Sequence, residues 1–525
     1  MSSRLARSAG LIGVATMTSR VLGVARDAVL AAYFGAGTQM DAYNVAFRVP
    51  NLVRDLFAEG AMTAAFVPTF TRRLARDGRE QAWRLGNLVI NALLIATGAL
   101  VLLGIVFAGP ITRTLAPEFA GVPGKLDLTA DLTRAMWPFL TTVAVAVAMM
   151  GMLNSLHRFF VPAVSPAMFN VATILCTIVL VPVMPRMGLP PITAVAIGTL
   201  VGGIGQVAIQ WPVLRAEGFR YRPVLDLRDP ELRDILRLMG PGTLGLAAVQ
   251  INVAVNTYLA TGQQEGAVSW LSYAFRLMYL PIGLFGVSIA TAALPDVARH
   301  AAAGDTAGVR RTASGAIRMM LMFNVPATIG LVALAQPIVS LLLERNRFTP
   351  ADTAATATAL MCYAPGLLGY SAVKIVSPTF YSLRDSRTPV AISVASVVVN
   401  LGLNLALVRV MGFRGLALGT TIAALFNAGV LLWALDRRVG GLERARVATS
   451  FAKIAAASVV MGIAAFLVSR WMTSLMPGDS TWIRAVRVSG AIGAGIGVLV
   501  LAARALRMAE FDEARDRILR RIVPR

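Results

Sequence analysis

Five arginines lie inside stretches of the chain that are otherwise apolar enough to cross a membrane: Arg20, Arg26, Arg48, Arg54 and Arg276. An arginine at the centre of a bilayer costs from about 2.5 kcal/mol upward, so these side chains are expected to face protein or a water-filled cavity. The guanidinium is a planar fork of donors that fits phosphate or carboxylate groups. The pattern therefore predicts an anion-binding cavity within the membrane.

Acidic and amide side chains accompany these arginines. Steps of three and four residues place one polar stripe on the second predicted helix, formed by Asp41, Asn44, Arg48, Asn51, Asp55 and Glu59. A second stripe, around Arg276, contains Ser269, Ser272, Tyr273 and Tyr279. We expect Asp27, Asp55 and Glu59 to pair with arginines and stabilise the bundle. The remaining excess of guanidinium favours an anionic ligand, although purely structural pairing of every arginine stays an alternative.

Catalytic and metal-binding patterns are weak. The two histidines and two cysteines are far apart, and the sequence has neither a nucleophile–histidine arrangement nor a phosphate-binding loop for ATP. We therefore expect neither an enzyme nor a cofactor or metal, and any transport has to be driven by an ion gradient or the membrane potential. The triplet Gly202, Gly203 and Gly205 lacks the context of a dinucleotide site and predicts close helix packing.

The composition identifies the class of protein that holds these residues. The 525-residue chain is 56% apolar and 14% charged, with a mean hydropathy of +0.68, whereas soluble proteins carry about 25% charged residues. This excludes a soluble globular enzyme. Spans of about 20 residues fit the uncharged runs 85–112, 135–156, 159–185, 187–214, 238–264, 277–295, 319–343, 353–373, 388–408, 415–435, 454–469 and 488–503, and two charged stretches, 8–33 and 39–70. The prediction is an all-α polytopic membrane protein with 14 transmembrane helices.

The distribution of basic residues predicts the orientation. With a cytoplasmic N-terminus, the inner connections carry 32 arginines and lysines and the outer ones 11, as the positive-inside rule requires. Both termini are then cytoplasmic. Orientation in the membrane and contact with anionic membrane lipids explain the net charge of +22. The charge therefore does not require nucleic acid as a partner. Residues 511–525 are expected to form an amphipathic cytoplasmic tail.

An internal repeat divides the predicted helices. Ala46-Phe47-Arg48 recurs as Ala274-Phe275-Arg276 at an offset of 228, and Ser155-Leu156 recurs as Ser382-Leu383 at an offset of 227. The offset spans six helices, an even number, so the two copies share one orientation, as in parallel transporter repeats. We expect an N-lobe at 1–216, a C-lobe at 217–440 and two further helices at 441–510.

The N-terminal motifs are similar to those of one known family. They are Ser19-Arg20-Val21-Leu22-Gly23, Ala25-Arg26-Asp27, Phe34-Gly35-Ala36-Gly37, Asp41-Ala42, Pro50-Asn51-Leu52, Arg54, Phe57-Ala58-Glu59-Gly60 and Ala64-Ala65-Phe66-Val67-Pro68. A second matching region contains Ser269-Trp270, Tyr273, Arg276-Leu277 and Leu294-Pro295. Together they resemble the MurJ (MviN) family of lipid II flippases, within the multidrug/oligosaccharidyl-lipid/polysaccharide exporter superfamily.

The resemblance implies two six-helix lobes around a central cationic cavity, with helices 13 and 14 forming a groove for the lipid tail. It also implies flipping of undecaprenyl-pyrophosphate-linked disaccharide-pentapeptide across the bacterial cytoplasmic membrane by alternating access, for peptidoglycan synthesis. The substrate-binding charges of the family map onto Arg20, Arg26, Asp41, Arg54 and Arg276, with Asp27 and Glu59 alongside, and we add Arg48. The expected partners are lipid II, membrane lipids and cell-wall synthesis enzymes, and the expected state is a monomer.

One departure from the family concerns sodium. Some relatives are thought to bind sodium through carboxylates on helices 7 and 11, whereas the matching positions here offer only neutral candidates, Asn256, Asn400, Asn404 and Thr420. Neutral oxygens bind a hard cation weakly, so sodium coupling is not expected. Three alternatives stay open: a flippase for another polyprenyl-linked oligosaccharide, a drug–cation antiporter of the same fold, and a non-transporting scaffold for cell-wall enzymes.

Overall fold

The computed structural model describes residues 2–55, 62–513 and 515, leaving aside the side chains of 2–12, 14, 16, 62–64 and 239–249. This part of the chain is helical and contains no strand, which confirms the all-α class. Its helices are α1 (Ser2–Phe34), α2 (Thr38–Arg54), α3 (Met62–Val106), α4 (Ala108–Leu115), α5 (Lys125–Met136), α6 (Phe139–Ser155), α7 (Phe160–Leu180), α8 (Thr193–Ala216), α9 (Pro230–Thr261), α10 (Ala267–Pro281), α11 (Val287–Ala302), α12 (Thr306–Ala333), α13 (Ala335–Leu343), α14 (Pro350–Tyr363), α15 (Gly366–Ser382), α16 (Arg387–Met411), α17 (Phe413–Arg438), α18 (Arg444–Leu475) and α19 (Thr481–Ala505).

Ten helical stretches in the described residues are long and apolar enough to cross a membrane. An eleventh is α14 with α15, a pair bent by 43°. The chain is therefore a multi-pass membrane protein. The predicted spans missing from this set are 8–33, 39–70 and 238–264, which correspond to α1, to α2 with the start of α3, and to α9. The first two carry internal charges, and the side chains of 239–249 lie outside the described part.

The region predicted as a connection, 71–84, contains the break at Gly78 where two helices, numbered together as α3, meet at a kink. Helical residues continue on both sides of Gly78, which interrupts the helix with φ +81° and ψ −179°. A positive φ of this kind is accessible to glycine at little cost. The residues on both sides of this glycine are helical because long straight side chains are good helix formers, and one glycine is enough to redirect the chain.

The chain forms two compact units, Met1–Ser269 with Arg345–Phe348, and Trp270–Glu344 with Thr349–Arg525. In the first unit α9 packs on α3, and a core of Phe66, Phe70, Leu85 and Leu88 lies among α3, α6 and α8. In the second unit the main core joins α11, α12, α15 and α17, and α18 and α19 pack on α12. The predicted lobe limits, at 216 and 440, stay a prediction.

Close packing of α7 on α8 fixes one wall of the first unit. A Cβ atom at Gly198 would lie 2.8 Å from the Cα of Thr173, and one at Gly202 would lie 2.7 Å from the Cα of Phe169. Small residues let helix backbones approach in a membrane, where lipid tails are as apolar as leucine and hydrophobic burial contributes little. The predicted packing role of this glycine region is confirmed for Gly202.

The predicted repeat is visible in the local backbone. Both α6 and α15 end in a serine, and two residues after it each copy has a non-glycine residue with positive φ, His157 at 59° and Arg384 at 58°. In each copy the next amide bonds back across the helix end, Arg158 N to the Leu153 carbonyl and Asp385 N to the Phe380 carbonyl, both at 2.9 Å. This is a left-handed helix cap, repeated at an offset of 227 as the sequence matches indicate.

Candidate functional site

Arg26 is held by two groups of the first unit. Its Nε and Nη2 atoms donate to Asp27 Oδ1 at 3.2 and 2.8 Å, and its Nη1 atom donates to Asn170 Oδ1 at 3.0 Å. Asn170 also donates from Nδ2 to the Ser19 carbonyl at 3.0 Å. This amide therefore fixes the guanidinium and ties α7 to α1.

Aromatic rings support the same guanidinium. The Arg26 Cζ atom lies 5.3 Å from the centroid of the Phe169 ring, within the range of a cation–π contact. Phe169 in turn contacts Phe47 and Phe139, with centroid separations of 5.7 and 5.5 Å. Residues on α2, α6 and α7 thus form an apolar floor beneath a charged group that is 14% exposed.

Arg54 repeats this arrangement at the end of α2. Its Nε and Nη2 atoms donate to Asp55 Oδ1 at 3.2 and 2.8 Å. The side chains of the pair are 22% and 29% exposed, so water or a ligand can reach both. Asn51 and Gln250 also lie 3.4 Å from Asp55 Oδ2 through their amide nitrogens. The carboxylate is therefore surrounded by donors from α2 and α9.

The other predicted arginines differ in their surroundings. Arg20 is partly exposed and makes no side-chain hydrogen bond or ion pair with any residue in the described ranges. Arg48 and Arg276 are also partly exposed, and each has a polar partner. Arg20, Arg26, Arg48 and Arg54 belong to the first unit and Arg276 to the second. Glu59 lies outside the described residues.

Asp41 is buried, and its carboxylate accepts hydrogen bonds from four donors. Lys125 Nζ lies 3.0 Å from Oδ2, and the Gly266 amide donates to the same oxygen at 2.9 Å. The Ser269 amide and hydroxyl donate to Oδ1 at 3.0 and 2.7 Å. Asn44 adds a hydrogen bond from Nδ2 to the Ser269 hydroxyl at 3.2 Å. In this conformation the carboxylate has no lone pair left for a ligand, so its predicted contact with substrate stays a prediction.

The short loop that precedes α10 is bonded to α2 at a second point. The Thr38 amide donates to Glu265 Oε1 at 2.8 Å, and the Thr38 hydroxyl bonds the same oxygen. The hydroxyl bond is the main reason why the pKa of Glu265 lies below its usual value. Gly266 follows with φ +90°, a conformation that disfavours larger residues. The loop is thus anchored by two carboxylates, Asp41 and Glu265.

The neutral candidates for a cation bond to nearby protein groups. Asn404 donates from Nδ2 to Asn400 Oδ1 at 3.1 Å, and the Thr420 hydroxyl donates to the Leu416 carbonyl at 2.8 Å. Both asparagines are buried, and Asn256 has a partner of its own. The described part of the chain also holds no cluster of three or more histidine, cysteine or acidic residues that could ligate a metal. The two hydrogen bonds lie within α16 and within α17, so each of these side chains is engaged by its own helix.

Sequence reasoning missed two residues that organise the site. Lys125 lies in a predicted outer connection, outside the predicted site, yet it is the counter-charge of Asp41. Asn170 is absent from the predicted site residues as well, yet it accepts a hydrogen bond from Arg26. The available signal for the first was that it is the one lysine of its predicted connection, and the signal for the second was an amide inside an apolar helix.

Comparison with known proteins identifies the family. Residues 30–486 match the family model described as "Lipid II flippase MurJ". The probable lipid II flippase MurJ of Vibrio cholerae is 33% identical, with 94% of this chain and 95% of that protein covered. That of Bdellovibrio bacteriovorus is 34% identical, with 88% of each covered. The chain belongs to the MurJ family.

Solved structures agree with this assignment. A structure titled "Lipid II flippase MurJ, inward closed conformation" superposes with a TM-score of 0.76 at 25% identity, covering 94% of this chain and 99% of that one. An inward-facing multidrug resistance MATE family transporter of the MOP superfamily reaches 0.66 at 16% identity, covering 83% and 98%. The second likeness shows a shared fold only, and the closer agreement with MurJ confirms the fold class expected from the sequence.

Proposed function

We propose that this protein is a lipid II flippase, which moves undecaprenyl-pyrophosphate-linked disaccharide-pentapeptide from the cytoplasmic to the periplasmic leaflet for peptidoglycan synthesis. The observation that carries the proposal is the match to the MurJ family over residues 30–486. The arginine asymmetry of the connections supports a location in the cytoplasmic membrane with both termini inside. Translocation by alternating access moves the head group without breaking a covalent bond, so the protein acts as a transporter and not as an enzyme.

The arginines of the site supply the chemistry that a pyrophosphate requires. Arg20 has no hydrogen-bond partner among the described residues, and Arg26 and Arg54 present forks that a carboxylate already occupies. A phosphate oxygen can replace that carboxylate because both accept the same pair of N–H groups. The aspartates then keep the guanidiniums oriented between transport cycles, and the phosphates offset the desolvation of these cations when substrate enters. Arg48, Arg276 and Asp41 complete the proposed set.

The energy source follows from the charge of the site. The amides Asn400 and Asn404 bond to each other and offer no carboxylate to sodium, which makes sodium coupling unnecessary in this proposal. An inside-negative potential acts directly on a cationic protein site and supplies about 2.3 kcal/mol per charge for each 100 mV. Membrane potential and protons are therefore the two driving forces that this proposal keeps open.

The test is the leaflet distribution of lipid II in cells depleted of their own flippase and complemented with this chain. The proposal predicts that lipid II becomes accessible to a membrane-impermeant reagent at the outer face. Accumulation of lipid II in the inner leaflet, with normal expression of the chain, would contradict it. The same cells distinguish the alternatives: export of a different polyprenyl-linked sugar, efflux of cationic drugs, or restored growth without any lipid movement.

A further inference from the structure

Lys125 is a buried cation whose position is unfavourable by itself. Its side chain is 3% exposed, and it is the first residue of α5. The N-terminus of a helix carries partial positive charge, which disfavours a cation there, and removal of an ammonium group from water adds a further penalty. Specific partners must offset both costs for the protein to keep a lysine at this place.

Two partners do so. Lys125 Nζ lies 3.0 Å from Asp41 Oδ2 and 4.2 Å from the centroid of the Phe119 ring. Phe119 is buried in the short turn Pro117–Gly121, whose Glu118 side chain lies beside Gly262 at the end of α9. The ammonium is thus enclosed between α2 and this turn, at the end of the first unit where the loop before α10 is anchored.

Asp41 depends on this cation more than on any of its other donors. The Gly266 and Ser269 groups provide hydrogen bonds to Asp41 but no formal charge. Removing one member of a buried ion pair is strongly destabilising because the other charge is left uncompensated. Such a charge recovers its hydration when water enters, so loss of Lys125 favours an arrangement in which the carboxylate has left its partners.

We propose that Lys125 is a positioning residue for transport, which neutralises Asp41 and thereby stabilises the contact between Asp41 and the first turn of α10. The inference rests on the proposed function, because a flippase has to make and release contacts at its two ends during each cycle. Lys125 does not touch substrate in this role. Lys125 sets the lifetime of the contact between Asp41 and the first turn of α10. Through this lifetime it sets the rate at which the contact opens and closes during transport.

The contact can be followed without substrate by labelling a cysteine within it. Ala267 is fully buried and lies between the two amides that bond Asp41. In a chain with Ala267→Cys and with both native cysteines replaced by serine, a membrane-impermeant maleimide should react slowly. Lys125→Met, which keeps the length of the side chain and removes its charge, should raise the labelling rate about tenfold or more, as expected for loss of a buried counter-charge.

Two controls separate charge pairing from general damage. Lys374→Met removes an exposed lysine of α15 that has no partner in the described part of the chain, and it should leave labelling unchanged. The double variant Asp41→Asn with Lys125→Met removes both charges, so it should label more slowly than Lys125→Met alone.

Turnover of lipid II should fall in Lys125→Met with little change in apparent KM, and Lys125→Arg should restore part of the turnover.

Each outcome decides the proposal. Unchanged labelling in Lys125→Met, or equal labelling in the single and double variants, would overturn it. If Lys125→Met fails to accumulate in membranes, accumulation of the double variant supports the charge pair, and failure of both variants to the same degree overturns it. The labelling needs no lipid II. A wild-type protein that labels as expected but moves no lipid II would therefore refute the proposed function and the transport role of Lys125, and it would leave standing only that Lys125 stabilises the Asp41 contact.

Discussion

Replacing Arg26 by alanine should separate transport from folding. The change removes two donors from Asp27 Oδ1 and one from Asn170 Oδ1. Hydrogen bonds to charged groups contribute about 1.5–3 kcal/mol each, but the pair is 14% and 11% exposed, so water compensates part of the loss. We expect a decrease of about 2–3 kcal/mol in the free energy of unfolding. If the guanidinium also gives the pyrophosphate two such bonds, transport should fall about 100-fold or more.

The assay is the flipping rate of a fluorescent lipid II in proteoliposomes, measured beside thermal unfolding of the same samples. Arg84→Ala is the matched control, because the Arg84 side chain is 51% exposed and its ion pair with Asp226 is long, at 3.7 Å. This change should have little effect on the flipping rate or on thermal unfolding. Arg26→Lys keeps the charge but cannot contact Asp27 and Asn170 together, so its rate should lie between those of wild type and alanine. A wild-type flipping rate in folded Arg26→Ala protein would refute the reasoning.

Three further predictions concern coupling, capping and packing. Replacing sodium by potassium should leave the flipping rate unchanged in proteoliposomes held at constant potential, since the candidate cation ligands are neutral amides; a strict sodium requirement would contradict this. Asp305→Ala should lower the melting temperature by removing the cap of α12. The Gly308 amide holds the pKa of Asp305 below its usual value, so this contribution is complete at neutral pH and is lost as pH falls through the lowered pKa; thermal melts of Asp305→Asn should lack that acid dependence. Gly369→Ala should reduce the melting temperature, because its Cβ would lie 2.6 Å from the Ala424 backbone, whereas Gly493→Ala, with open space around it, should not.

Much of the fold follows from the sequence because bilayer thickness imposes one length on every span. Uncharged runs therefore predict most of the membrane-crossing helices directly. The repeat was predictable for a similar reason, since Ser155 and Ser382 end helices that carry the same cap. At Gly78 the sequence predicts a connection but not its form, since a run of arginines can form a loop or stay helical on both sides of one glycine.

The site was only half predictable. Periodicity places Asp41 on a polar face of its own helix, because it reports the direction of side chains along one helix. It does not report which helix lies opposite. Lys125 is 84 residues from Asp41 and Asn170 is 144 residues from Arg26, so these pairings depend on tertiary packing. Residue types alone therefore identify the charges, and the structure is needed to pair them.

The central claim is that arginines within the membrane-embedded helices bind a pyrophosphate. The most direct measurement is the affinity of the purified protein for lipid II, compared with that for undecaprenol, in wild type and in a variant with Arg20, Arg26, Arg54 and Arg276 replaced by glutamine. The account predicts that wild type strongly prefers the pyrophosphate lipid and that the variant binds both lipids equally and weakly. A variant that retains the wild-type preference for lipid II would contradict the account.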